Sequence, residues 1–407
     1  MSSADLPFRQ HRYDALSVLP VTQADIVFIG NSITNMHEWW EAFGGHQHIL
    51  NRGVSGALSQ EALEHLDPII AGQPKKVFLM LGTNDLGTPG YNTPQQIIQN
   101  IDKIITRFQQ ESPCTELYVQ SILPSKVGLR TLELESATNL GLAMLCKKRN
   151  VTFIDLWDDF QGVATLEEHT LDGLHLMASG YQIWCKKIAP FVGHPTVYPE
   201  ETLSLQQSGG LGRSYGMRNT YFSMYPIQDG DILMMGDEMI HGGEWHELLA
   251  NNKVKNRGMG WGYPGPNLSS IIQSVPIIFN QLEGQPESVF IYAGTAEINA
   301  NVKLDEVVDN YRELVCRIHD IVPHTRICLM GLLPTDNQER NTSRVVPFNQ
   351  RLSLLAEGLE LVDYVDLYDM MGKDQLPQKK YFMGNYLNGE GYVRVAKIIS
   401  EQWALTK

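Results

Sequence analysis

Long apolar runs are missing from this chain: none approaches the roughly 18 residues that a membrane-crossing helix needs. No membrane span is expected. The first nine residues, Met1-Ser2-Ser3-Ala4-Asp5-Leu6-Pro7-Phe8-Arg9, also lack the basic start and apolar stretch of an export signal. On that reading the protein is soluble and cytoplasmic; a leader removed ahead of residue 1 would make it periplasmic or secreted instead.

Cysteine is scarce and unpaired in pattern. The five residues Cys114, Cys146, Cys185, Cys316 and Cys328 are widely spaced and contain no CxxC, which argues against a zinc ribbon or redox dithiol and predicts free, mostly buried thiols. Basic runs are short (Lys75-Lys76, Lys147-Lys148-Arg149) and the net charge is -14, a balance that repels a phosphate backbone and argues against nucleic acid as a partner. The acidity reads as a solvated surface. Nucleotide loops are absent too: Gly258-Met259-Gly260-Trp261-Gly262 lacks the GxGxxG spacing, and Gly87-Thr88-Pro89-Gly90 carries no lysine. Neither His46-x-His48 nor His241 with Glu244 and His246 has a recognised ligand spacing with further ligands nearby, so neither a metal nor a cofactor is expected.

What is present is ordinary globular composition, with 43% apolar and 19% charged residues, spread over 407 residues. A chain of that length predicts two domains of about 200 residues each. The sequence also repeats itself. Asp25 to Gly30 returns as Asp231 to Gly236, an offset of 236 − 30 = 206, and Asn51-Arg52-Gly53 returns as Asn256-Arg257-Gly258, an offset of 205. Leu81-Gly82-Thr83 matches Ala293-Gly294-Thr295 at 212; Leu123-Pro124, Asn139 and Ile154-Asp155-Leu156 match Leu333-Pro334, Asn349 and Val365-Asp366-Leu367 at 210, 210 and 211. Chance matches would not keep this order and spacing. The predicted division is a first domain over 1–194, a Pro- and Gly-rich linker over 195–211 and a second domain over 212–407.

Short apolar runs in the first copy, Ile26 to Ile29, Ile49-Leu50, Val77 to Leu81, Leu117 to Val119 and Val151 to Ile154, have the length and β-branched content of buried parallel strands. Between them, Thr93 caps and Pro94 opens a helix with apolar residues at Ile97, Ile101, Ile104, Ile105 and Phe108. Alternating strand and helix predicts a doubly wound sheet, hence two tandem three-layer α/β/α domains with parallel sheets.

Ligands of such sheets bind beyond the carboxyl ends of the strands. Those ends carry Gly30-Asn31-Ser32-Ile33-Thr34, Asn51-Arg52-Gly53 and Gly82-Thr83-Asn84-Asp85, and a later loop carries Leu171-Asp172-Gly173-Leu174-His175. These four blocks, in this order, resemble those of the SGNH or GDSL-type hydrolases, a flavodoxin-like fold, with Gly-Asn-Ser standing for Gly-Asp-Ser. The resemblance implies Ser32 as nucleophile, Asp172 and His175 as the rest of a triad, and an oxyanion hole from Ser32, the Gly53 backbone and the Asn84 side chain. It also implies hydrolysis of a small-molecule ester, with short acyl groups such as acetate expected, for example on an acetylated carbohydrate. Platelet-activating-factor acetylhydrolases, arylesterases and lysophospholipases share the same motifs.

The residues support that chemistry on their own terms. A serine hydroxyl attacks an ester only when a base takes its proton, and a carboxylate-oriented histidine does so. Asp172 and His175, three apart, would meet on one helical turn. Taken alone, Ser32 reads as a helix cap, Gly53 as a turn glycine and Asn84 as an Asx turn. His169 lies as far before Asp172 as His175 lies after it. Spacing leaves both open as the base; the resemblance selects His175 and leaves His169 on the surface.

In the second copy, alignment sets Glu238 at Ser32, Ala296 at Asn84 and Asn388 at Asp172, and pairs Gly173 with Gly389, so that His175 falls in a gap. The second domain is thus expected to lack the catalytic residues. Adjacent carboxyls at Asp237 and Glu238 offer a glycosidase reading, weakened because neighbouring side chains diverge. Trp245, Trp261 and Tyr263 would either stack on a sugar or fill the core. The competing class is a non-catalytic binding or scaffolding protein built from two such domains. Against it stands the contrast between a first copy that keeps every position and a second that has lost nearly all.

Overall fold

Buried parallel strands need apolar side chains on both faces, and the five strands of the first domain supply them. In a computed structural model, which describes residues 5–45, 48–91, 93–125, 127–160, 168–193, 213–260 and 266–403, these are β1 (Ile26–Gly30), β2 (Ile49–Gly53), β3 (Lys76–Met80), β4 (Glu116–Gln120) and β5 (Thr152–Ile154). They pair in parallel in the order β2-β1-β3-β4-β5. The second domain repeats the design with β6 (Ile232–Gly236), β7 (Val254–Gly258), β8 (Ser288–Tyr292), β9 (Arg326–Met330) and β10 (Val362–Val365), in the order β7-β6-β8-β9-β10. Helices flank each sheet, giving two α/β/α domains.

The chain falls into two compact units, Met1–Pro199 and Glu200–Lys407. The proposed linker, 195–211, lies outside the described residues.

Equivalent helices bury equivalent side chains. Thr93 caps Pro94–Glu111 by accepting from the Gln96 N–H, and the helix buries Ile97, Ile101, Ile104, Ile105 and Phe108. In Leu304–Ile321 the buried residues are Val307, Tyr311, Leu314, Val315 and Ile318, each 210 positions later (307 − 97 = 210). Fully burying such side chains is worth about 1.5–3 kcal/mol each. That gain is what preserves the pattern while surface residues diverge.

A carboxylate in the third block holds a neighbouring helix in each domain. Asp85 accepts from the Ser59 N–H at 3.1 Å and from its hydroxyl at 2.5 Å, at the start of Ser59–Glu64; Glu297 accepts from the Leu268 N–H at 2.7 Å, at the start of Leu268–Ile278. Of the cysteines, Cys146, Cys185 and Cys328 are buried, Cys114 and Cys316 are exposed, and all five are free. Among the described residues no helix is long and apolar enough to cross a membrane.

Candidate active site

Ser32 is the first residue of the short helix Ser32–Asn35, which begins where β1 ends. It is not the cap. Asn31 caps instead, its Oδ1 accepting from the Ile33 N–H at 3.0 Å, which leaves the Ser32 hydroxyl free for other work. That hydroxyl is 3.0 Å from His175 Nε2. His175 Nδ1 is 2.8 Å from Asp172 Oδ2. An ionised carboxylate only accepts, so the proton sits on Nδ1 and Nε2 faces the serine as an acceptor.

Asp172 and His175 do not meet on a helical turn, as their spacing suggested. Residues 171–175 form a tight loop closed by an antiparallel bridge between Thr170 and Leu176, with Gly173 at φ +78°. Asp172 Oδ1 accepts from the N–H groups of Leu174 at 3.1 Å and His175 at 2.8 Å. Burial acts to raise its pKa, but the hydrogen bond and charge of the His175 ring, with those two N–H groups, outweigh it and hold the carboxyl down to about 2. Asp172 is thus an anion fixed on both oxygens. His169 faces elsewhere, its Nδ1 2.8 Å from the Ser179 hydroxyl.

Asn84 lies in the short helix Thr83–Leu86, beyond β3, where Gly82 takes φ +126°. Its Nδ2 donates to the Ala57 carbonyl at 3.1 Å and retains a second N–H; its Oδ1 accepts from Arg130 Nη2 at 3.3 Å. An amide held at both ends is suited to stabilising an oxyanion. Asn84→Ala is expected to lower kcat on the order of 10²- to 10³-fold with little change in KM, measured by steady-state ester hydrolysis. A loss confined to KM would assign the amide to ground-state binding.

Gly53 needs correction as an oxyanion donor. Its N–H is taken by Asn51 Oδ1 at 2.9 Å, while Asn51 Nδ2 donates to the carbonyls of Asn35 and His37 at 3.0 and 3.1 Å. Glycine is required here for packing: a Cβ would lie 2.4 Å from the Asn35 nitrogen. The second domain repeats the arrangement with Gly258 N–H on Asn256 Oδ1 at 2.8 Å, and a Cβ on Gly258 would lie 2.2 Å from the His241 nitrogen. A feature kept where Glu238 stands in place of Ser32 serves the fold. Three residues on, Gly56 has φ +81° and an N–H with no acceptor among the described residues. Comparing the copies would have found it, since counting from Gly258 puts Trp261 at its place.

The second site keeps the scaffold. Asp237 caps as Asn31 does, accepting from the Met239 N–H at 3.1 Å, and Glu238 occupies the place of Ser32. Asp237 is therefore a structural cap, which removes half of the paired-carboxylate reading. Burial, then the adjacent Asp237 charge, push the Glu238 carboxyl up to about 7. Tyr181 donates to the Ile33 carbonyl at 2.7 Å, and Tyr392 to that of Met239 at 3.2 Å, the same anchor under the same helix. Trp245 is core: fully buried, it donates to the Ile240 carbonyl at 2.7 Å, as Trp39 does to Thr34 at 2.8 Å. Trp261, Tyr263 and His46 lie outside the described residues. Among those described, no three His, Cys, Asp or Glu side chains group as metal ligands.

The closing loop corrects the sequence alignment. Gly384, at φ +62°, is the partner of Gly173, and Gly391 that of Gly180; both intervals are seven residues (180 − 173 and 391 − 384). No residue is missing. Met383 stands at Asp172 and Tyr386 at His175, while Asn388 pairs with Met177 just ahead of the last helix. The charge of Glu238 helps to raise the Tyr386 pKa, second to burial.

Comparison with known proteins finds the GDSL-like lipase/acylhydrolase family matching the chain twice, over residues 28–183 and 237–394. Among solved structures, a Streptococcus pneumonia protein provisionally assigned as a platelet activating factor is 30% identical, with 46% of this chain and 94% of that one covered (TM-score 0.42). A GDSL-like lipase from Bacteroides thetaiotaomicron is 20% identical over 46% of this chain and 96% of its own (TM-score 0.38). An acetylxylan esterase from Geobacillus stearothermophilus is 14% identical over 43% and 96% (TM-score 0.36). No curated protein matches the sequence.

Proposed function

The chain belongs to the GDSL-like lipase/acylhydrolase family, and from that premise we propose that its first domain is a serine esterase working through an acyl-Ser32 intermediate. The observation that carries the proposal is the unbroken relay from Ser32 Oγ to His175 Nε2 at 3.0 Å and from His175 Nδ1 to Asp172 Oδ2 at 2.8 Å. As Oγ attacks the ester carbonyl, Nε2 takes its proton, and Asp172 stabilises the imidazolium while keeping the ring oriented. The oxyanion is met by the Ser32 N–H, the Asn84 amide and the Gly56 N–H. His175 returns the proton to the leaving alkoxide. Water then repeats the sequence on the acyl-enzyme, releasing the acid and freeing Ser32.

The acyl group is proposed to be short, acetate in the first instance, carried by a carbohydrate or another small alcohol. This narrower claim rests on the range of esters the family handles. The test is hydrolysis of p-nitrophenyl esters of increasing chain length: a fall beyond acetate supports it, since each methylene alone is worth only about 1–3 kcal/mol and several act together. A rate rising with chain length would replace acetate by a longer acyl group.

The second domain is proposed to take no part in acyl transfer, because Glu238, Ala296, Met383 and Tyr386 stand where Ser32, Asn84, Asp172 and His175 do the chemistry.

The acid side of the pH profile follows from Asp172. Its pKa is lowered from the ordinary 3.8 to about 2, so the carboxylate and its bond to His175 persist above that ordinary range and are lost only as pH falls through about 2. The decline of kcat/KM on the acid side is therefore expected to carry no carboxylate step in the ordinary aspartate range. A carboxylate step near the ordinary aspartate value would show that Asp172 is not held as described.

A further inference from the structure

We propose that Arg130 is a positioning residue for the reaction, orienting and polarising the Asn84 amide so that its free N–H meets the oxyanion. The inference deepens the esterase reading and rests on it. Arg130 lies on the connection between β4 and the helix Leu132–Arg149, and its guanidinium makes three separate bonds there. Nε donates to the Thr83 carbonyl at 2.8 Å, Nη1 to the Val127 carbonyl at 3.0 Å and Nη2 to Asn84 Oδ1 at 3.3 Å. One planar cation thus grips both the backbone before Asn84 and the amide oxygen itself.

The consequence is electronic as well as geometric. Asn84 Oδ1 accepts from a charged donor, and hydrogen bonds to ions are roughly twice as strong as neutral ones. Drawing electron density towards Oδ1 makes the Nδ2 protons better donors. One of these goes to the Ala57 carbonyl and the other is left for the substrate. Arginine suits the position because its fork is rigid and it stays ionised; lysine offers a point charge without the three directions.

Space has been left for the guanidinium. A Cβ on Gly87, the residue closing the Asn84 helix, would lie 2.5 Å from Arg130 Cζ. Gly87 has φ −83°, which any residue adopts, so the glycine answers to the arginine and not to backbone strain. The second domain gives the contrast. Arg340, 210 positions after Arg130, reaches Asn299 Oδ1 at 2.8 Å, and Asn299 is the counterpart of Gly87. Where the amide has become Ala296, the arginine serves another partner.

The charge of Arg130 is also felt by Asp172 and Glu135, so an effect through the triad must be separated from one through the amide. A double-mutant cycle does this. With p-nitrophenyl acetate as substrate, Arg130→Ala is expected to lower kcat roughly ten- to hundredfold with KM changing less than threefold. In an Asn84→Ala background the same change should cost less than threefold, because its target is gone. Labelling of Ser32 by a fluorophosphonate probe, which builds a comparable oxyanion, should follow the same pattern.

Arg130→Lys should recover part of the lost rate. Gly87→Ala, which keeps the charge but pushes the guanidinium off Asn84, should lower kcat in the wild-type background alone. These two variants decide the matter should Arg130→Ala unfold, as judged by thermal melting. Equal losses with and without Asn84, or a rise in KM at constant kcat, would overturn the proposal. Absence of any Ser32-dependent turnover or labelling in the wild-type chain would instead remove the esterase reading beneath it.

Discussion

Ser32→Ala is expected to lower kcat for p-nitrophenyl acetate on the order of 10⁶-fold, the scale on which loss of a serine nucleophile acts. The hydroxyl is the one atom in the first site placed 3.0 Å from a carboxylate-oriented imidazole. The equivalent place in the second domain holds Glu238, whose neighbouring helix carries Ala296 in place of Asn84. Removal of Ser32 should therefore leave only what the oxyanion donors and substrate binding supply, about 10³- to 10⁴-fold over water. Thermal stability should scarcely move, since the helix cap belongs to Asn31. A variant that still turned over substrate at a tenth of the wild-type rate would place the nucleophile elsewhere in the chain.

The second large effect separates two histidines that the sequence places symmetrically about Asp172. His175→Ala is expected to cost about as much as loss of the serine, because base and nucleophile act as a unit and their contributions do not add. His169→Ala should leave kcat within a few-fold. His169 bonds to Ser179 at the start of the last helix of the first domain and meets the ring of Phe160 edge-on, with centroids 6.2 Å apart. It ties down the segment before the catalytic loop. Comparing kcat and melting temperature for the two variants distinguishes them: His175→Ala loses rate at nearly constant stability, His169→Ala the reverse. Matching losses of rate in both would reopen the choice of base.

Much of this architecture was legible in the chain because it depends on patterns that repeat. The five apolar positions of Pro94–Glu111 reappear 210 residues later under the same sheet geometry. Burial of a helix face depends on side-chain type and period, both of which a sequence displays. Ser32 was legible for a related reason, since residues at the carboxyl ends of parallel strands gather on one edge of the sheet; Asp172 and His175 sit in a later loop and were marked by the resemblance to SGNH hydrolases, spacing alone leaving His169 equally open.

Direction and reach were not legible. Gly53 looked like an oxyanion donor until the Asn51 side chain was found on its N–H, and spacing does not say which way a peptide group points. In the last loop of the second domain the sequence pairs Gly389 with Gly173, because Gly389 lies near the expected place of a turn glycine. The positive φ angles of Gly173 and Gly384 identify the true pair. For Trp245 the sequence leaves a sugar platform and a core position equally open, and the structure decides for the core, its indole buried and donating to the Ile240 carbonyl.

The sequence by itself determined the duplication, the parallel sheets and the asymmetry between a copy that holds Ser32, Asp172 and His175 and one that does not, because period and residue order carry all three. The tertiary structure alone decided which donors are free. It gave capping to Asn31 and so released Ser32, committed the Gly53 N–H to Asn51, and brought Arg130 from a separate loop onto Asn84. Those outcomes depend on angles and on distances near 3 Å between residues up to 46 positions apart in the chain, and such distances exist only once the chain has folded.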